Sequence, residues 1–253
     1  MSPDKRKHRG AHPEDRRLFC PATVPILRQA TGELSWLLTR GYPMDASLKL
    51  VGDRHRLRER QRAAVRRSAC SDEASADRRR RCYAPDKIAE RSLTIDGFNL
   101  LITLETALSG GVILRGRDGC LRDLASIHGS YRTVTETDAA IRLAGAFLAA
   151  VAPREVTWIL DRPVSNSGRL RQRIEEAAED NGWPWSARLE FNPDKALMET
   201  GGLLATSDST ILDAGAQWVN LAAAVVEKSI PEAQLIDLRV GTIEEKKPGG
   251  GLT

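Results

Sequence analysis

The chain lacks any apolar run approaching the 18 or so residues that cross a bilayer, and its opening MSPDKRKHRG lacks the apolar core of a signal peptide. A cytoplasmic protein with no membrane partner is therefore expected. Its four cysteines, Cys20, Cys70, Cys82 and Cys120, form no CxxC pair, which removes the spacing of zinc ribbons and thioredoxin-type sites. A site drawing on Cys70, Cys82 and His55 would need an x11 gap that is not a recognised ligand spacing, so free buried thiols are the better reading. No GxGxxG, GxxxxGK[ST] or GxSxG pattern occurs, so dinucleotide binding, P-loop hydrolysis and serine hydrolysis lack their signatures. No internal repeat is present.

What the chain has is ordinary globular composition with an uneven charge. Hydrophobic residues make up 41% and charged residues 28% of 253, enough for one large domain or two modest ones, and two are preferred. The net charge of +4 hides an asymmetry: residues 1–92 carry 22 Lys+Arg against 12 Asp+Glu, a net of +10, leaving 16 against 22, a net of −6, for the rest. A basic part suits a polyanion, because neutralising phosphates releases condensed counterions, whereas clustered carboxylates suit a metal ion.

Along the chain, residues 1–21 read as a flexible basic arm. Residues 22–72 form a small basic helical domain, with one or two helices ending near Gly41 and Pro43 and another in RHRLRERQRAAVRRSAC. Residues 73–91, which include the run Arg78 to Arg81, have no apolar pattern and read as an Arg-rich linker that could line a phosphate path. Over 92–240 strand-like and helix-like stretches alternate, the mark of βαβ units and a parallel sheet. Strands are predicted near 92–96, 156–161, 187–191, 202–208 and 234–238, and helices near 99–109, 136–151, 166–181 and 219–229. GVILRGRDGCLRDL reads as a hairpin turning at Asp118 and Gly119, added at the sheet edge. The tail 241–253 is expected to be loose.

Several apolar strands run out into an aspartate: LTID ends at Asp96, TWILD at Asp161 and LLATSD at Asp208, with Asp194 following the third strand. In open parallel sheets, ligand sites form beyond the carboxyl ends of strands, so such residues can meet in one crevice. Two carboxylates ~4 Å apart repel by roughly 4 kcal/mol at an effective dielectric of about 20, so a cluster calls for protons or a cation. Magnesium or manganese, which favour oxygen ligands, are the natural candidates. Each aspartate alone has a plainer reading as a helix cap or turn residue.

IDGFNLL, ILDRPVSNSG, NPDKALME and ATSDSTILD, taken in order, resemble the successive acidic motifs of the PIN-like superfamily, including its NYN branch. The resemblance covers roughly 93–238. The segment 37–70 resembles an uncharacterised amino-terminal module that accompanies such domains in bacteria and archaea. The resemblance implies a three-layer α/β fold, Rossmann-like, with a parallel sheet and flanking helices, preceded by the small helical basic domain. It also implies a metal-dependent nuclease, acting on RNA rather than DNA, with Asp96, Asp194 and Asp208 as metal ligands. Asp161 matches a further acidic position found in part of the superfamily and completes the catalytic set. Asn99 would orient a ligand carboxylate or water, and Ser207 would bind phosphate. Arg162 and Lys195 would contact the scissile strand. The chain departs from the commoner pattern at Ser209-Thr210, where many relatives carry another acid, so the last ligand would be Asp213 or absent.

Other residues are read more plainly. Glu105 is expected on a helix surface and His128 in a structural role. Trp158 and Trp218 suit packing, as do Trp183 and Trp185, although the last two flank Pro184 in a loop and could stack a base. Two rival functions stay open. One is a catalytically inactive module that holds RNA or protein; the other is a phosphatase, disfavoured because IDGFN has Phe98 where a second acid belongs. Self-association is also left open.

Overall fold

A computed structural model describes residues 8, 9, 12–125 and 131–240. The amino-terminal part holds helices α1 (Asp15–Leu18), α2 (Val24–Thr39), α3 (Met44–Arg54), α4 (Glu59–Ser68) and α5 (Asp72–Arg81). Strand β1 (Cys82–Tyr83) and a 3-10 turn lead to β2 (Ser92–Asp96), α6 (Gly97–Leu108), β3 (Ile113–Arg115) and β4 (Leu121–Asp123). Then come α7 (Thr137–Val151), β5 (Glu155–Asp161), α8 (Ser167–Asn181), β6 (Trp185–Glu190) and α9 (Pro193–Met198). The chain finishes with β7 (Leu203–Ala205), α10 (Ser209–Asp213), β8 (Trp218–Val219), α11 (Leu221–Ser229) and β9 (Leu235–Asp237).

The main sheet is six-stranded and parallel throughout, in the order β1-β8-β7-β2-β5-β6. From β2 the chain winds outward through β5 to β6, returns to the other side of β2 as β7, and continues outward to β8. The order therefore reverses between β2 and β7, which makes their carboxyl ends the topological switch point of an open α/β sheet. Burial on both faces explains why β7 is wholly apolar and why even Thr94 of β2 is buried between Leu93 and Ile95. One face packs Leu101, Leu104, Ile141, Leu170 and Val225 from α6, α7, α8 and α11. The other packs Leu197, Ile211 and Leu212 from α9 and α10 against Ile159, Leu204 and Trp218.

A second, three-stranded sheet in the order β4-β3-β9 lies between the two parts of the chain. Alternation along β3 sends Ile113 into the main core and Leu114 into a separate core with Leu27, Leu34, Val65, Ile236 and Leu238. This corrects two expectations. The hairpin is not an edge addition to the main sheet, and 234–238 is not its fifth strand; β9 pairs with β3 because Ile236 and Leu238 bury against the amino-terminal helices. The main sheet gains β1 and β8 instead.

The amino-terminal part also differs from expectation. Asp15, expected in a flexible arm, is buried and ion-paired to Arg60 (2.5 and 2.9 Å). The predicted helix 54–70 is interrupted at Arg56, which has φ 51, so Arg54 to Arg62 do not share one helix. Residues 73–91 are not a bare linker, since most of α5 lies there, capped by Ser71 accepting from the Ala74 N–H. Among the described residues no helix is long and apolar enough to cross a membrane.

Candidate functional site

The SLTIDG sequence builds the first wall of the switch point. Asp96 ends β2 and caps α6, its Oδ1 accepting from the Asn99 backbone N–H at 3.4 Å. Gly97 is required behind it, because a Cβ there would lie 2.6 Å from Leu160 Cδ2 and 3.0 Å from the Ile159 carbonyl oxygen. The helix can therefore start hard against β5.

The second wall is Thr206-Ser207-Asp208, just past β7. The Thr206 hydroxyl donates to Asp96 Oδ2 at 2.9 Å and accepts from the Asp208 N–H at 3.0 Å. Asn99 Oδ1 accepts from both the Ser207 N–H (2.9 Å) and its hydroxyl (2.8 Å). Asp208 caps α10 through Thr210 (2.7 Å) and Ile211 (3.4 Å). Polar side chains thus lace together two walls that are 110 residues apart in sequence.

Asp96 carries the strongest electrostatic perturbation here: burial, reinforced by the negative charges of Asp208 and Asp194, pushes its carboxyl up to about 7 against the pull of Thr206 and Asn99. Burial and then the charge of Asp194 push Asp161 upward as well. The four acids at the carboxyl ends of the strands therefore sense one another in pairs. Among the described residues, however, no three His, Cys, Asp or Glu side chains are gathered as a ready metal-ligand set.

A cleft of about 920 Å³ opens beside the switch point. Asn99, Ser207 and Asp208 line its sheet side, and Arg66, Arg67 and Met44 its helical side. Asp96, Asp161, Asp194, Arg162 and Lys195 stand outside that lining. Arg67 donates to the carbonyls of Asp123 (2.7 Å) and Ala125 (3.2 Å), which fixes its guanidinium. Arg66 is half-exposed and pairs with Asp45, which is itself 84% exposed.

A buried ionic network in the cleft wall has no counterpart in the sequence reading. Asp118 accepts from Arg78 (2.6 Å) and twice from Arg122 (2.7 and 2.9 Å), while Arg78 also holds Asp213 through two bonds of 2.7 Å. Arg122 Nε donates to the Ser207 carbonyl at 2.9 Å, tying the network to the second wall. Arg78 is thus a buried strut and no phosphate path, and Asp213 is committed to it rather than to Asp96. Arg81 is likewise occupied, by Asp77 and by the carbonyls of Ala216 and Leu212.

One further expectation is corrected. Glu105 is fully buried, held by Arg9 Nε (2.6 Å), the Thr137 hydroxyl (2.6 Å) and the Tyr131 hydroxyl, and burial raises its pKa. Trp183 and Trp185 pack as expected: Trp185 lies against buried Trp158 and Trp183 against Trp185 and Gly145 of α7, at the amino-terminal end of β6 and so at the opposite end of the strands from the switch point. His128 lies outside the described residues.

A doubly wound α/β domain whose polar, acid-bearing switch point faces a cleft under basic helices is the class that fold and site define. The chain belongs to the family described as Domain of unknown function (DUF5616), which matches residues 85–224. A second family, Protein of unknown function (DUF434), matches residues 26–81, from within α2 to the end of α5. An uncharacterized protein of Methanocaldococcus jannaschii is 29% identical over 186 residues, covering 74% of this chain and 88% of the relative. No solved structure matches the chain.

Proposed function

We propose that the protein is a PIN-like, NYN-related nuclease that uses magnesium or manganese to hydrolyse phosphodiester bonds in RNA held in the cleft beside the switch point. The observation that carries this reading is the meeting of Asp96 and Asp208 at the reversal of strand order, joined by the Thr206 hydroxyl, which donates to Asp96 at 2.9 Å and accepts from the Asp208 N–H at 3.0 Å, with the negative charges of Asp208 and Asp194 adding to burial in pushing the Asp96 carboxyl up. Such a site is short of positive charge. Its oxygen donors suit a hard divalent cation, and magnesium commonly takes only one or two protein carboxylates and keeps its waters, so a three-residue cage is not needed. Asp96 and Asp208 would hold the ion, with Asp194 close enough to add its charge. When bound, the cation supplies Lewis acidity and an acidified water.

The chain's own residues have separate tasks. Asn99 fixes the Ser207 turn by accepting from its N–H and its hydroxyl, and that buried hydroxyl would have to turn away from Asn99 to donate to a phosphate. Arg66 contacts the strand backbone from the helical side, and Arg162 and Lys195 do so beyond Asp161 and Asp194. Asp161 adds a further carboxylate at the same strand ends, its pKa raised by burial and then by the charge of Asp194.

A second reading, an RNA- or protein-binding module without catalysis, is favoured by one observation: Asp96 and Asp208 each use an oxygen as a helix cap, and no three acids gather as ligands among the described residues. Purified protein and Asp96→Asn are incubated with mixed cellular RNA, with manganese and then with chelator. The nuclease reading expects cleavage by wild type only, abolished by chelator. Equal cleavage by both forms points to a contaminant and refutes the assignment; RNA bound but uncut by either form selects the binding module.

A further inference from the structure

Phe191 is 72% exposed, the highest value among the exposed large hydrophobic side chains of the described residues. A lone exposed apolar residue needs no explanation by itself. Phe191 is not alone. Asp161 pairs with Glu190 at the carboxyl end of β5 and β6, and the Arg162 N–H continues that ladder by donating to the Glu190 carbonyl at 2.8 Å. Phe191 is therefore the first residue past the ladder, on the same sheet edge as the acids. Arg162 lies across its ring with the guanidinium carbon 4.5 Å from the centroid. Asn192 then caps α9 by accepting from the Lys195 N–H (3.0 Å), which turns the chain and leaves the ring outside the core. An aromatic ring backed by a cation, beside a second cation at Lys195, is what a strand with unpaired bases and phosphates would meet.

We propose that Phe191, backed by Arg162, is a stacking platform for an unpaired nucleobase of the RNA strand, an inference that rests on the nuclease reading of the neighbouring site. The paired bases of a duplex cannot reach such a platform, so the substrate class is single-stranded. Binding is measured in chelator, so that cleavage plays no part, using an oligoadenylate containing 2-aminopurine and an abasic strand of equal length. Wild type should bind the oligoadenylate and quench 2-aminopurine, and Phe191→Ala should bind it roughly tenfold more weakly with the quench lost. Phe191→Trp should retain both, and the abasic strand should bind wild type and Phe191→Ala equally. Unchanged oligoadenylate binding by Phe191→Ala, the same loss on the abasic strand, or no binding of either strand by wild type overturns the platform. Stacking intact in a protein that never cuts RNA with manganese defeats the nuclease reading alone.

Discussion

Replacing Asp96 with Asn should stabilise the metal-free protein, and only at high pH. The Asp96 carboxyl sits at about 7 when folded against an ordinary 3.8, so it is protonated in both folded and unfolded chains below about pH 3.8 and costs nothing there. Between those values the unfolded chain gives up the proton first, so stability falls as pH rises, and above pH 7 the cost is constant. At roughly 1.4 kcal/mol per pH unit, the gap amounts to about 4 kcal/mol as an upper figure. Asn keeps the helix cap, being among the best N-cap residues. Its amide would face the Thr206 hydroxyl, which must then accept rather than donate, a rearrangement worth about 1 kcal/mol. A net gain of about 1–3 kcal/mol at pH 8 remains, or roughly 2–10 °C in melting temperature for a chain of this size. Thermal melts from pH 4 to 9 in chelator should show the variant behind by about 1 kcal/mol at pH 4 and ahead at pH 8. Manganese should then raise wild type more than the variant. A variant that melts below wild type at every pH would show that the carboxylate supports the fold, and the repulsion argument would fail.

Three other perturbations test the surrounding structure. Asp118→Asn leaves Arg122 buried without a carboxylate and Arg78 with Asp213 alone, and should cost about 3–5 kcal/mol in urea unfolding at pH 7. Because those two arginines hold Asp118 well below the usual carboxylate range, its contribution is present above the unfolded value near 3.8 and fades as pH falls, so a gap between the two proteins that does not narrow toward pH 3 refutes the assignment. Arg9→Ala leaves Glu105 buried without its cation, so stability should drop by about 1–3 kcal/mol, most at alkaline pH, and adding Glu105→Gln should recover part of it in a double-mutant cycle. Arg66→Ala should weaken RNA binding and make the salt slope shallower by about 0.7, with melting temperature unchanged; an unaltered slope removes Arg66 from the strand path.

The sequence was legible where periodicity is strong. The strand predicted at 92–96 is β2, and the four helices predicted after it begin and end within about two residues of prediction, because their apolar faces repeat without interruption, whereas the short α9 and α10 are not among those predicted. What stayed hidden is held together by other forces. The segment DEASADRRRR has no apolar face and read as linker, yet it is helical because Ser71 caps it and Arg78 and Arg81 fasten it to Asp118, Asp213 and the carbonyls after α10. Strands β1 and β8 are two residues each, too short for an alternation to appear. Asp118 looked like a turn residue because Arg78 is distant in sequence and Arg122, four residues on, lies on β4 of a hairpin and not on a helix. Removing residues 1–92 to isolate the basic part would also strip Leu114, Leu124, Ile236 and Leu238 of their packing partners, so single arginine changes are the sounder probe.

Many of the 22 lysines and arginines of residues 1–92 are tied up within the structure. Arg60 is bound to Asp15, Arg62 to Asp53, Arg78 to Asp118 and Asp213, Arg81 to Asp77, and Arg67 to backbone carbonyls. Those arginines join helices to one another and to the α/β domain, and moving any of the buried ones onto a phosphate would leave an acid unpaired at a cost of several kcal/mol. Arg66 is different. Its partner Asp45 is 84% exposed, and a solvent-exposed pair of that kind is worth about 0–1 kcal/mol. A phosphate entering the cleft can replace Asp45 at almost no loss, and Asp45 returns to water when it does. Of the cleft's cations, Arg66 is thus the one whose side chain can change partners without disturbing the fold, so on the proposed nuclease reading a polyanion would make its contact at α4, across the cleft from Asn99, Ser207 and Asp208.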